Sequence, residues 1–189
     1  MHNHLRMYAA FLLCNVCRCD WKVGASWMYY HLLDGDLASN HLSWQWVCGA
    51  NSQKEYIANQ DNINKYTKSL QKGSFLDVEY GELEEINCPE HLRESSFLEY
   101  TTDLPESSNQ ITLDPSLDLC VYTYYNLDPA WRSGENVQRV LLLEPSIFKR
   151  YPIGKRSMEF MLALAENIES IQVFVGEFKE LVKGFTNQV

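Results

Sequence analysis

The residue pattern of this chain changes period partway along, and that change limits what it can fold into. Over residues 3–19, Arg6, Ala10, Leu13 and Cys17 recur at i, i+3/i+4 spacing with no Gly or Pro, which predicts a helix. Asp20-Trp21-Lys22-Val23-Gly24 breaks the pattern. A second, aromatic-rich helix is expected over Ala25–Leu33, and a third over Leu37–Cys48 with Gly49 as its C-cap. Residues 51–72 are polar and Asn-rich, with one short helix expected around Asp61–Thr67. Residues 73–118 are acidic and carry Pro89, Pro105 and Pro115; they read as a linker, with one turn of helix at Glu82–Glu85. Beyond them the pattern turns strand-like. Leu119–Tyr125 is followed by Val140–Leu143, a continuous apolar run suited to a buried parallel strand. An amphipathic helix over Ser157–Ile168, a strand over Ile171–Val175 closed by Gly176, and a short helix over Phe178–Phe185 complete the series. The expected fold class is mixed: an all-α region (1–72), an acidic linker (73–118) and a small, incomplete α/β piece (119–189).

Charge and cysteine content narrow the function classes. The 189 residues carry 16 Lys/Arg against 25 Asp/Glu, a net charge of −9. Residues 73–135 alone contribute −12, from two basic and fourteen acidic residues, whereas residues 1–72 come to +2. An acidic chain argues against a nucleic-acid-coating protein; this bears little on whether the N-terminal third touches a phosphate backbone. The apolar run Met7–Val16 is too short for a membrane span, which needs about 20 residues. It also lacks the cleavage site of a signal peptide. A cytoplasmic location is therefore expected, with the six cysteines as reduced thiols. Cys14, Cys17 and Cys19 form C-x-x-C-x-C, open to a metal-site reading. Cys48, Cys88 and Cys120 are isolated, however, and no His pair stands at ligand spacing beside them. Buried core thiols are the better reading, and no metal is expected.

The first 46 residues concentrate side chains that packing alone does not explain: Asn3, Arg6, Met7, Trp21, Asp34, Asp36, Asn40, Trp44 and Trp46. Asp36 is a good helix N-cap. Asp34 follows the apolar His31-Leu32-Leu33 and needs a cationic partner if buried; Arg6 on the first helix is the candidate.

His2-Asn3-His4-Leu5-Arg6-Met7, Asp20-Trp21, Asp34-Gly35-Asp36-Leu37-Ala38-Ser39-Asn40 and Trp44-Gln45-Trp46 together resemble, in order and spacing, the flavin-binding domain of the DNA photolyase/cryptochrome family. Asn59 to Tyr66 also resembles the stretch that follows these motifs in photolyases. The resemblance implies FAD, bound in a U-shape in an all-helical domain, and light-dependent repair of pyrimidine dimers in DNA by electron transfer from reduced FAD. It places the Arg6–Asp34 ion pair beside the isoalloxazine, Asp36 as a second cofactor contact and Asn40 facing flavin N5. It makes Trp44 the flavin-proximal electron donor and Trp21 the next in line. Asn3, Met7 and Trp46 correspond to the pocket for a flipped dimer, where an apolar, aromatic wall suits an extruded base. Damaged DNA is the implied partner, and no membrane is.

The chain departs from the family pattern in places. His4 stands where the family usually has Arg, and His41-Leu42-Ser43 replace a glycine-rich spacer. The chain begins at the first motif, so a missing N-terminal domain, as an upstream polypeptide, is expected to complete a deoxyribodipyrimidine photo-lyase. The segment from Leu141-Leu142-Leu143-Glu144-Pro145-Ser146 through Tyr151-Pro152-Ile153 resembles, more weakly, the α/β domain of photolyases. The competing readings are a cryptochrome-like blue-light photoreceptor and a non-catalytic folded fragment.

Overall fold

The computed structural model describes residues 1–96, 98–106 and 111–183. The chain divides into two units, Met1–Leu98 and Glu99–Val189, each with its own core.

The first unit is helical. Helix α1 (Asn3–Phe11) runs on into a π-helical turn (Leu12–Val16). Arg18, in the left-handed region at φ 56°, ends the run. Helix α2 spans Trp21–His31. It starts four residues before the sequence pattern suggests, because the Asp20 carboxylate caps it, accepting from the Lys22 N–H at 2.9 Å. Helix α3 (Leu37–Val47) is capped in the same way by Asp36, which accepts from the Ser39 N–H at 2.7 Å. Helix α4 (Gln60–Thr67) is capped by Asn59, which accepts from the Asn62 N–H at 3.0 Å. The core of this unit joins Phe11, Cys14 and Val16 to Ala25, Met28 and Leu32 of the α2 region and to Trp44 and Val47 of α3.

That core also contains Leu76 and Leu83, each about 5% exposed or less, from a stretch the composition assigns to a linker. The side-chain amides of the Asn-rich stretch explain the difference. Asn59 Nδ2 donates to the Val78 carbonyl at 3.1 Å, Ser74 Oγ donates to Gln60 Oε1, and the Gln60 N–H donates to the Leu76 carbonyl at 2.8 Å. Polar groups here bind one another and the backbone, and they hold residues 73–78 against α4.

The second unit carries a three-stranded parallel sheet in the order β1 (Leu119–Tyr122), β2 (Gln138–Leu143), β3 (Ile171–Val175). Val121 pairs with Val140, and Leu141 with Val173. The central strand is the continuous apolar run, and Val140, Leu141 and Leu143 are fully buried. Val140 and Leu142 share a cluster with Leu119 and Leu181, while Leu141 and Leu143 point to the opposite face. Two helices link β2 to β3: α5 (Pro145–Arg150) and α6 (Lys155–Ala165). A last turn, α7 (Phe178–Leu181), follows β3; residues 184 and 185 of the expected helix lie outside the described residues. Strand β1 stops at Tyr122 and not at Tyr125, because Asn126 folds the chain back: its Oδ1 accepts from the Thr123 hydroxyl at 3.0 Å, and its N–H donates to the Thr123 carbonyl at 3.2 Å.

The molecule is thus mixed, with a helical unit and a small parallel sheet. No described helix is long and apolar enough to cross a membrane.

Candidate functional site

Three helix faces enclose a cavity of about 250 Å³ in the first unit. Helix periodicity puts Asn3, Arg6, Met7 and Ala10 on one face of α1. Met28 of α2 and Leu32 at its end form the second wall. The third is α3, from its cap at Asp36 through Ser39, Asn40, Ser43 and Trp44 to Val47. The cavity is amphipathic. Met7, Ala10, Met28, Leu32, Trp44 and Val47 make its apolar part, and Asn3, Arg6, Asp34, Asp36, Ser39, Asn40 and Ser43 its polar part.

Arg6 Nη2 donates to Asp34 Oδ2 at 2.6 Å, and Arg6 Nε to the Met1 carbonyl at 3.1 Å. The pair is asymmetric: the Arg6 side chain is 25% exposed and Asp34 67%. The guanidinium bond holds the Asp34 carboxyl below the usual carboxylate range, against the opposing effect of burial. The Asp36 carboxyl is also lowered, by the Ser39 hydroxyl and then the Ser39 N–H. Both aspartates are therefore ionised at neutral pH, with Asp36 acting as a helix cap as well as a wall of the cavity.

Asn40 is buried, and its Nδ2 donates to the Ala25 carbonyl of α2 at 2.8 Å. That bond fixes the carboxamide and uses one of its two N–H groups. Trp44 is 2% exposed, its indole lodged against Gly24 of α2. A Cβ added at Gly24 would meet that ring at 2.1 Å, so α2 and α3 can pack this closely only with glycine there.

Seven of the nine residues singled out from the sequence line this cavity: Asn3, Arg6, Met7, Asp34, Asp36, Asn40 and Trp44. The other two do not. Trp21 opens α2 and meets the His41 ring edge-on at 6.2 Å, with the Lys22 ammonium 5.9 Å from its ring centre. Trp46 is half exposed and leans on Tyr56 with ring centres 5.6 Å apart. It lies two residues beyond Trp44, which on a helix is another face. His4, the departure from the family pattern, stacks on Tyr66 at 3.9 Å and on His2 at 5.1 Å. Ser39, Ser43, Met28 and Leu32 were not anticipated, although the spacing Asp36, Ser39, Asn40, Ser43, Trp44, Val47 traces a single helix face.

This lining fits an isoalloxazine: a flat, largely apolar ring system edged with nitrogens and oxygens meets apolar side chains together with a guanidinium, two carboxylates and a carboxamide. At about 250 Å³ the cavity falls below the range of about 300–1,000 Å³ usual for pockets that enclose a whole ligand. It suits the ring part of FAD and not the entire dinucleotide. Among the described residues no group of three or more His, Cys, Asp or Glu is placed to hold a metal ion.

Comparison with known proteins gives a family for the helical unit. Residues 1–100 match the family described as the FAD binding domain of DNA photolyase. The deoxyribodipyrimidine photo-lyase of Streptomyces griseus is 49% identical over 49 residues, covering 26% of this chain and 11% of that protein. Its namesake in Escherichia coli is 45% identical over 47 residues, 25% and 10% of the two chains. That of Synechococcus is 29% identical over 99 residues, 46% and 20% of the two chains. The matched stretch thus spans about a tenth of the length of the first two of these relatives. No solved structure matches. With the match running over more than half of its length, the chain belongs to the family of the FAD binding domain of DNA photolyase, whose cofactor is FAD.

Proposed function

We propose that this chain supplies the ring-binding part of the flavin site in a light-dependent deoxyribodipyrimidine photo-lyase acting on pyrimidine dimers in DNA. The observation that carries the reading is the convergence of Arg6, Asp34, Asp36, Asn40 and Trp44 on one amphipathic cavity. When bound, the reduced flavin supplies the excited-state electron that opens the dimer, and the protein supplies orientation and electrostatics.

Each residue then has a task that its geometry allows. Asp34 stays ionised and holds the Arg6 guanidinium in the cavity lining, a positive charge that would suit the polar atoms of a flavin ring. Asn40, held by Ala25, presents its remaining N–H and its oxygen without titrating. A carboxylate at this position would change the proton count of the site; a carboxamide does not. Trp44 closes the floor against water, and its oxidisable indole, with that of Trp21 on α2, is assigned to electron supply. Trp46, against Tyr56, offers an exposed aromatic face for an unstacked base, a contact worth about 1–3 kcal/mol per base, with Asn3 and Met7 of the cavity lining as further lesion contacts.

The test is a titration of FAD into the chain, followed by the visible circular dichroism that a flavin acquires in an asymmetric site. Binding should induce a band. Asn40→Ala and Asp34→Ala should each weaken it at least about tenfold, the equivalent of about 1.4 kcal/mol. An induced band of equal affinity in both variants would remove the cavity from the flavin site.

A further inference from the structure

Cys17 and Cys88 stand 71 positions apart in sequence, yet the Cys88 thiol donates to Cys17 Sγ at 3.4 Å. Both are free and half-buried. Cys17 closes the π-helical turn that extends α1. Cys88 sits in a segment with little else to hold it: from 87 to 96, Cys88 and Pro89 are the described residues that are not exposed. Arg93 Nε donates to the Cys88 carbonyl at 3.0 Å, but that bond lies within the segment. A disulfide needs the sulfurs at about 2.05 Å, so closure asks for a shift of little more than 1 Å in a lightly anchored segment.

We infer that Cys17 and Cys88 form a dithiol modification site, oxidised by a small-molecule disulfide of the glutathione type to a bond that staples residue 88 to the end of α1. The exchange balances in two steps. One thiol, as its thiolate, attacks the oxidant, forming a mixed disulfide and expelling one thiolate, which takes up a proton. The second thiolate attacks the protein sulfur of that mixed disulfide, closes the Cys17–Cys88 bond and expels the second small thiol. Two protein thiols and one disulfide become one protein disulfide and two small thiols. Burial and the contact with Cys88 push the Cys17 thiol up to about 11. Cys88 lies on the lightly anchored segment, which assigns it the first attack on the oxidant and leaves the resolving step to Cys17. The nearest competitor, Cys19, turns its thiol onto the Cys17 carbonyl at 3.8 Å.

The test is to incubate the whole chain with oxidised glutathione and map its peptides without reduction. A single cross-linked pair joining the Cys17 and Cys88 peptides is expected, and dithiothreitol should reverse it. In Cys17→Ser, glutathione should remain trapped on Cys88. A bond across so long a loop restricts the unfolded chain, so oxidation should raise the unfolding midpoint of the parent, measured by circular dichroism, by about 5 °C or more. Six free thiols after incubation, glutathione held singly on the parent, a dominant Cys17–Cys19 link, or an unmoved midpoint would each overturn the assignment. The parent's peptide map carries the test even where the variant folds poorly.

Discussion

Arg6 and Asp34 meet at 2.6 Å, but in unequal surroundings: the arginine stem is mostly packed, while the carboxylate is two-thirds exposed. The sequence offers Arg6 as the partner that Asp34 would need if buried, and losing one partner of a fully buried pair would cost about 3–5 kcal/mol. The observed exposure puts the ion pair itself in the solvent-screened range, about 1 kcal/mol or less. The pH dependence follows from the lowered Asp34 carboxyl. Its contribution to stability is fully present above the unfolded-state value, about 3.9, and is lost as pH falls through the lower folded-state value. Asp34→Asn should therefore lower the unfolding free energy at neutral pH by about 0.5–1 kcal/mol, and parent and variant should converge as pH falls through that lowered value. Urea unfolding at several pH values checks this; a gap that persists at the acid end would mean that the ion pair is not its source. Arg6→Ala should cost more than Asp34→Asn, because it also strips packed methylenes from the cavity wall. Asn15 shows what a linear reading misses at this scale. It appears as an interruption of an apolar run, yet it is buried, and its Nδ2 donates to the Val47 carbonyl at 3.0 Å and the Tyr56 carbonyl at 2.8 Å. A buried amide that ties two backbone carbonyls declares itself only through partners 32 and 41 positions away.

Helix α2 shows why some element boundaries were legible and others were not. The spacing on α1 and the punctuation around α3 are legible in the sequence, and Asp36 reads as a cap because a carboxylate before a helical run favours that role. Asp20 plays the same part for α2, but Gly24 four residues later reads as a breaker in one dimension. In three dimensions Gly24 is the close-approach point with Trp44. The helix tolerates a glycine cost of about 1 kcal/mol relative to alanine because a methyl group there would meet the indole at 2.1 Å. Gly24→Ala therefore sets improved helix propensity against a clash with a nearly inaccessible ring. Overpacking a filled core costs about 1–3 kcal/mol, so the clash should prevail and the variant should be the less stable. Its second signature is local. Trp44 must shift, so the near-ultraviolet circular dichroism should change while the far-ultraviolet helical signal stays. Unchanged or raised stability with the parent's aromatic spectrum would show that α2 and α3 can separate freely. The combined variant Gly24→Ala, Trp44→Phe should recover part of the loss, because the smaller ring removes atoms that meet the new methyl group.

At the scale of the whole chain, the change of period did separate a helical half from a sheet-bearing half, since β2 and β3 carry apolar runs that no amphipathic helix would have. The division falls near residue 98 because the acidic stretch is not uniform: Leu76 and Leu83 are its apolar anchors, and the amides of Asn59 and Gln60 draw the intervening backbone onto the helical unit. Acidity alone could not reveal anchors that depend on distant partners. The two cores bear on ligand binding. Every residue lining the flavin-type cavity lies between Asn3 and Val47, within the first unit. A ligand that binds only the folded state stabilises what it touches by RT ln(1 + [L]/Kd), about 2.7 kcal/mol at a hundredfold excess over Kd. FAD should therefore slow amide exchange in α1, α2 and α3 by up to about a hundredfold where exchange requires unfolding of that unit, and leave the strand amides of Val140–Leu143 and Val173–Val175 unchanged. Hydrogen–deuterium exchange by mass spectrometry, with and without FAD, reads both units in one experiment, and Asp34→Ala provides the control in which helical protection should fall back towards the free protein. Equal protection of the strands and the helices would mean that the flavin contacts or couples to the sheet-bearing unit; protection of the strands alone would move the flavin site out of the α1–α3 cavity altogether.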